Sequence, residues 1–179
     1  ELGWELHHPI EYQNHIFDQL MEAGKEFGLK PYGIRAMNSL RVEKSYKLVG
    51  TELSIEYSPY ESGLDRFVHP NKGDFIGRAA LDKWRAKGFS NKLVTMEIHG
   101  VTDADVLGNN PIYDNGSVVG RATSGDFGFR LNKSIALGMV KPELAKVGQK
   151  LKIDILGKMH EASIVEESPY DSENKLLRA

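Results

Sequence analysis

The strongest constraint on this chain lies in its C-terminal half, where two short apolar runs meet at Asn115-Gly116 within Ile112-Tyr113-Asp114-Asn115-Gly116-Ser117-Val118-Val119. Asn-Gly supplies the two positive-φ residues of a type I′ turn, whose twist matches that of the strands on either side, so a tight hairpin is predicted here. Residues 92–98, 111–114, 117–121, 134–140, 150–156 and 160–165 also read as strands, with a second turn at Gly157-Lys158. Short strands at this density, separated by glycine-marked turns, predict an all-β sandwich or barrel from about residue 90 onward.

The N-terminal half follows a helical period. Ile16, Phe17, Leu20, Met21 and Gly24 recur at three- and four-residue spacing opposite Glu11, Asp18, Glu22 and Lys25, which predicts an amphipathic helix over 10–27 ended at Gly28. A second helix is predicted from about Gly33 to Lys44, with Ile34, Met37, Leu40 and Arg41 along its run and Arg35, Asn38, Ser39 and Val42 on the other face. Residues 51–68 carry turn chemistry (Ser58-Pro59, Ser62-Gly63) and read as extended and loop structure; a third helix is predicted over roughly 76–87, before Gly88. At the start, Leu2, Trp4 and Leu6 alternate with Gly3, Glu5 and His7 in the period of a half-buried strand, with no Met and no polar lead-in, as expected of a sequence entered in mid-domain.

Composition narrows the function classes. Lys and Arg number 23 against 25 Asp and Glu, so no overall charge draws the chain to a phosphate backbone, and a small ligand is expected rather than nucleic acid. No stretch approaches the roughly 18–20 apolar residues of a membrane-spanning helix, and no membrane partner is expected. The absence of Cys excludes disulfides, thiolate catalysis, iron–sulfur clusters and Cys-containing zinc sites, and is in keeping with a reducing compartment.

The motifs of common active sites are missing. His7, His8, His15, His69, His99 and His160 form no His-x-x-x-His pair, so no metal site is expected. Gly120 to Gly128 lacks both the Gly-x-Gly-x-x-Gly spacing and the following helix of a dinucleotide loop. Thr123-Ser124-Gly125 reads as a strand end with a bulge, or as a ligand-contacting loop. Glu5 lies opposite Trp4 and Leu6 in the alternation, where a carboxylate can accept two hydrogen bonds from an amidine-like ring edge, while Arg35 can hold an anion or carbonyl. The competing reading leaves Glu5 solvated and pairs Arg35 with Glu43 or Glu26 on the surface.

Six motifs in order then carry a resemblance. They are Glu1-Leu2-Gly3-Trp4-Glu5-Leu6, Tyr32-Gly33-Ile34-Arg35-Ala36-Met37-Asn38-Ser39-Leu40-Arg41-Val42-Glu43-Lys44, Ser58-Pro59-Tyr60-Glu61-Ser62-Gly63-Leu64, Asp74-Phe75-Ile76-Gly77-Arg78, Val119-Gly120-Arg121-Ala122-Thr123-Ser124-Gly125 and Ser168-Pro169-Tyr170-Asp171. Together they resemble the folate-binding module shared by the glycine cleavage T-protein, an aminomethyltransferase, and the dimethylglycine and sarcosine dehydrogenases. The opening motif and the Glu43-Lys44 step are closer to the dehydrogenase branch.

The resemblance implies an α+β chain: a partial α/β folate-binding domain over 1–89, then a C-terminal all-β barrel or jelly-roll-like domain over 90–179. It implies tetrahydrofolate in a central channel, with Glu5 on the pterin ring and Arg35 at the folate site. The family's catalytic Asp lies upstream of Glu1, so no catalytic residue is expected in this stretch, nor FAD, which belongs to an N-terminal flavin domain of the parent chain. The chain is accordingly expected to be the C-terminal folate-binding part of a flavin-linked dehydrogenase yielding 5,10-methylenetetrahydrofolate, in bacterial cytoplasm or the mitochondrial matrix. A T-protein-type aminomethyltransferase and a non-catalytic regulatory homologue are the alternatives. Ser45 stands where the family often has Gly, and a left-handed residue there costs about 1 kcal/mol.

Overall fold

The computed structural model describes residues 3–101 and 103–178. The C-terminal part is a closed antiparallel barrel of six strands: β1 (Lys92–Ile98), β2 (Pro111–Asp114), β3 (Ser117–Gly128), β4 (Lys133–Val140), β5 (Lys150–Ile155) and β6 (Lys158–Val165). Their order around the barrel is β1-β4-β3-β2-β5-β6, and β1 closes the ring by pairing with β6 at residues 95–98. The structure thus selects the barrel over a sandwich or jelly roll. The Asn115-Gly116 turn forms as predicted, with φ of 47° and 80°. A second left-handed pair, at 53° and 81°, falls on Leu156-Gly157, one residue earlier than the sequence suggested.

Strand alternation fills the barrel. Leu151, Ile153 and Ile155 point inward from β5, and Met96, Ile98, Ile112, Ala136, Val140 and Ile164 complete the core. Gly138 sits among them because a Cβ there would lie 2.8 Å from Ile112 Cδ1 and 3.0 Å from Met96 Cε, so a small residue on β4 makes room for two large ones. Unlike β5, β4 is buried along almost its whole length. Its second face, Ile135, Leu137 and Met139, lies on the side that α2 approaches.

That half contributes α1 (Gln13–Gly24), α2 (Ile34–Glu43) and α3 (Arg78–Lys87). α1 is flanked by 3-10 turns at 10–12 and 25–27 and ends at Gly28 with φ 68°, and α2 starts after Gly33, both as predicted. α3 starts two residues late because Gly77, at φ 94°, is left-handed and cannot belong to the helix. The predicted N-terminal strand does not form: residues 3–9 are irregular, Trp4 is 83% exposed and Leu6 60%. Leu2 and Glu1 lie outside the described residues. A strand needs a neighbour to bond and a face to bury. Among the described residues no ladder partner reaches residues 3–9, so period-2 patterning has nothing to act on.

Ser45 is left-handed (φ 54°) and buried. Its hydroxyl offsets the backbone cost, meeting Thr95 Oγ1 on β1 at 2.7 Å and accepting from the Ser168 amide at 3.0 Å. The C-terminal segment is thereby stapled across the end of α2: Ser168 Oγ donates to Lys44 O, and the Tyr170 amide to Glu43 O. Ser45→Ala is expected to destabilise the chain by about 2 kcal/mol, and Ser45→Gly by about 1 kcal/mol less because it relieves the positive φ. Urea unfolding of both variants checks this, and equal losses would show that the left-handed serine is unstrained.

Candidate functional site

α2 docks on the barrel through polar groups. Arg35, Asn38, Ser39 and Val42 fall on one face by helical spacing, and that face meets the barrel, with Ser39 and Val42 buried, while Ile34, Met37 and Leu40 remain exposed. The reason lies in β3, whose register shifts between Ala122 and Ser124, the bulge that Thr123-Ser124-Gly125 suggested, although the strand does not end there but runs on to Gly128. Beyond this bulge, β3 presents acceptors to the helix. Asn38 Nδ2 donates to Asp126 Oδ2 (2.7 Å) and Gly125 O (3.2 Å), and Ser39 Oγ donates to Phe127 O (2.6 Å). Arg41 donates to Ser124 Oγ (2.8 Å), Asn38 Oδ1 (2.8 Å) and Tyr46 O (3.1 Å).

Three buried carboxylates complete the seam. Glu43 accepts from the Arg130 and Leu131 amides at 2.8 and 3.0 Å. Glu52, fully buried, accepts from Ser124 Oγ, Thr51 Oγ1 and the Leu48 amide at 2.5, 2.7 and 2.9 Å, and pairs with Arg41 at 3.4 Å. Glu61 accepts from the Ser58 amide and hydroxyl, and from the Ser90 and Asn91 amides. Burial pushes the Glu52 carboxyl up, but the bonds from Ser124, Leu48 and Thr51 outweigh it and leave the group below its ordinary value. The same balance, burial against the donors from Ser58, Asn91 and Ser90, lowers Glu61.

The two residues singled out from the sequence stand in different settings. Arg35, on the first turn of α2, is 80% exposed, and its Nη2 donates to Asp105 Oδ2 at 3.1 Å, not to Glu43 or Glu26. Glu5 lies on the irregular segment, 3.6 Å from His7 Nε2. The structure does not bring Glu5 and Arg35 together: among the described residues, the hydrogen bonds and ion pairs of residues 3–31 are internal to that segment. Chemically the pair suits a folate, a carboxylate for ring N–H donors and a guanidinium for an anionic end. Among the described residues there is no cluster of three His, Asp or Glu side chains able to hold a metal, and no helix is long and apolar enough to cross a membrane. Among the described residues no glycine-rich strand–helix turn of the dinucleotide-binding kind occurs.

Sequence reading missed Asp105, Asp126 and the buried glutamates, each of which takes at least one partner 29 to 88 residues away. Local partners exist at Glu61, three residues after Ser58 in Ser58-Pro59-Tyr60-Glu61, where the carboxylate folds back on the Ser58 amide, and at Glu52, which accepts from Leu48 and Thr51.

Residues 1–72 match the family described as the GCVT N-terminal domain, and residues 91–171 that of the glycine cleavage T-protein C-terminal barrel domain. The human mitochondrial dimethylglycine dehydrogenase is 42% identical over 93% of this chain and 19% of its own length. An aminomethyltransferase of Desulfitobacterium hafniense is 36% identical over 92% of this chain and 45% of its own. The chain therefore spans less than half the length of these relatives. In fold it is similar to the glycine cleavage system aminomethyltransferase T from Bartonella henselae, with a TM-score of 0.79 at 23% identity, over 92% of this chain and 45% of that one.

Glu52 and Glu61 hold protons less tightly folded than unfolded, so the unfolded chain takes up protons first as pH falls. Their contribution is present in full above the ordinary value of 4.5 and is lost as pH drops through the lowered folded values. Glu52→Gln is expected to flatten this acid limb. Urea midpoints taken from about pH 6 down to about pH 3 would expose the opposite result, a slope identical in the two proteins.

Proposed function

The chain belongs to the glycine cleavage T-protein family, and from that premise we propose that it is the C-terminal folate-binding part of a tetrahydrofolate-dependent one-carbon enzyme of the dimethylglycine/sarcosine dehydrogenase type. The observation that carries this reading is Arg35: a guanidinium at the start of α2, on a helix fixed to the barrel, with most of its surface open to a ligand. An always-charged planar fork suits the anionic or carbonyl groups of a folate. Glu5 takes the pterin edge, accepting two ring N–H bonds once residues 3–9 gain the strand neighbour they lack here. We place the boundary between the helical folate domain and the barrel at residues 89 and 90.

Tetrahydrofolate, when bound, supplies the acceptor for the one-carbon unit. This chain's residues bind and orient it and exclude water. None acts as catalytic base, so turnover by the chain alone is negligible. In the parent protein the amine is oxidised by an upstream flavin domain, and the product is 5,10-methylenetetrahydrofolate. The compartment follows the relatives, mitochondrial matrix or bacterial cytoplasm, with no nucleic-acid or membrane partner. The match to aminomethyltransferases over the same span favours one second reading, a T-protein-type enzyme without the flavin domain.

Anaerobic calorimetric titration of tetrahydrofolate into the chain is expected to show saturable binding, weakened about tenfold or more by Arg35→Ala, the loss of one charge-assisted hydrogen-bonded contact, whereas Glu5→Ala weakens binding as much only where residues 3–9 have gained their strand neighbour. A chain that binds no tetrahydrofolate, or two variants that bind as tightly as the parent, would overturn the assignment.

A further inference from the structure

Arg35 is a long side chain with most of its surface in water, so its geometry must be set by something other than packing. The partner is Asp105, on the loop between β1 and β2, and that loop is held to the barrel at several points. Val106 is fully buried against β3, so close that a Cβ on Gly125 would lie 2.6 Å from Val106 Cβ. The Asn109 amide donates to Ala122 O and the Ala122 amide to Asn110 O, both at 2.8 Å. Asn110 Oδ1 accepts from the Leu107 amide at 2.7 Å, and Arg121 Nη1 donates to Asn109 Oδ1 at 3.2 Å. Asp105 is thus delivered on a rigid arm beside the very stretch of β3 that α2 grips one turn further on, through Asn38 and Ser39.

From this juxtaposition we infer that Asp105 is a positioning residue for Arg35: it holds the Nη2 corner of the guanidinium and turns the remaining donors toward the carboxylate or carbonyl groups of the ligand. The inference rests on the proposed folate site. One point of attachment suits the task. Asp105 bonds one terminal nitrogen only, and among the described residues Nη1 and Nε have no hydrogen-bond partner, so the open edge of the fork stays available for a planar, two-point contact. Arg35 would otherwise sample many rotamers, and a ligand would have to select one of them. Because the pair is exposed, the gain is modest.

Asp105→Asn is expected to weaken tetrahydrofolate binding about threefold to fivefold, the range of an exposed ion pair, with no change in thermal unfolding. Asp105→Glu should restore most of the affinity, and the Arg35→Ala/Asp105→Asn double variant should bind no worse than Arg35→Ala alone. If Arg35→Ala weakens binding while Asp105→Asn leaves it unchanged or tightens it, the positioning role falls and the folate site stands. A loss from Asp105→Asn that persists in the Arg35→Ala background also sinks it, because Asp105 would then act without Arg35. Rotation of the Arg35 guanidinium, followed by nitrogen-15 NMR of the ligand-free chain, tests the pair without folate: it should be slow in the parent and fast in Asp105→Asn, and equal rates would overturn the inference. A chain with slow, Asp105-dependent rotation that binds no tetrahydrofolate would remove the folate reading alone.

Discussion

Three glutamate carboxylates taken out of water fasten α2 and the loop that follows it to the barrel. A buried charge is tolerated only when donors surround it, and each of these is met mainly by backbone amides and short hydroxyls. Glu43 is the most demanding case. It ends α2, where the helix dipole opposes a negative charge, yet the Arg130 and Leu131 amides converge on one of its oxygens. Gly128 makes this possible, because a Cβ there would lie 2.8 Å from Oε1. Glu61 plays the same part where the chain enters β1, and Glu52 where the loop after α2 crosses β3. Loops at both ends of the barrel are therefore fixed by acceptors from outside it.

Polar docking also explains why α2 sits in one register. Apolar ridges can slide by a turn at modest cost, whereas Asn38, Ser39 and Arg41 each have an acceptor at one position on β3. The bulge at Ala122 and Ser124 exposes those acceptors. A helix registered in this way fixes the direction of its first turn, and with it the Cα–Cβ vector of Arg35. The surface that α2 leaves uncovered is apolar, the inverse of an ordinary amphipathic helix.

The barrel was legible because its signals are local: Asn115-Gly116 fixes a turn within two residues, and the strand pieces at 92–98 and 111–114 have the bounds that alternation gives. The helices were legible through spacing and their glycine ends. What could not be read was which face of α2 is buried, since that depends on acceptors in β3 more than eighty residues on. The expected strand at the start had the right period but, among the described residues, no partner, a condition that no window of sequence contains. Ser45 was recognisable as a misfit in a glycine position, although its compensation by Thr95 and Ser168 was not. At the candidate site, Arg35 stood out as a residue type in a motif, whereas Asp105 belongs to a loop without distinctive chemistry and acquires meaning only through its 3.1 Å bond.

The two residues proposed to grip a folate therefore differ in how much of their placement is already achieved. Arg35 is carried by a registered helix and a fixed carboxylate. Glu5 is carried by residues 3–9, which are irregular here. Ordering a residue costs about 1–2 kcal/mol of backbone entropy, while burying a large apolar side chain contributes about 1.5–3 kcal/mol. Trp4 and Leu6 cannot offset that cost across the segment by themselves. The balance becomes favourable only when the exposed apolar residues of α1 and its flanking 3-10 turns, Ile10, Phe17, Leu20 and Phe27, are buried at the same time. Placement of the Glu5 carboxylate is thus coupled to the covering of α1, whereas Arg35 already has its place on α2.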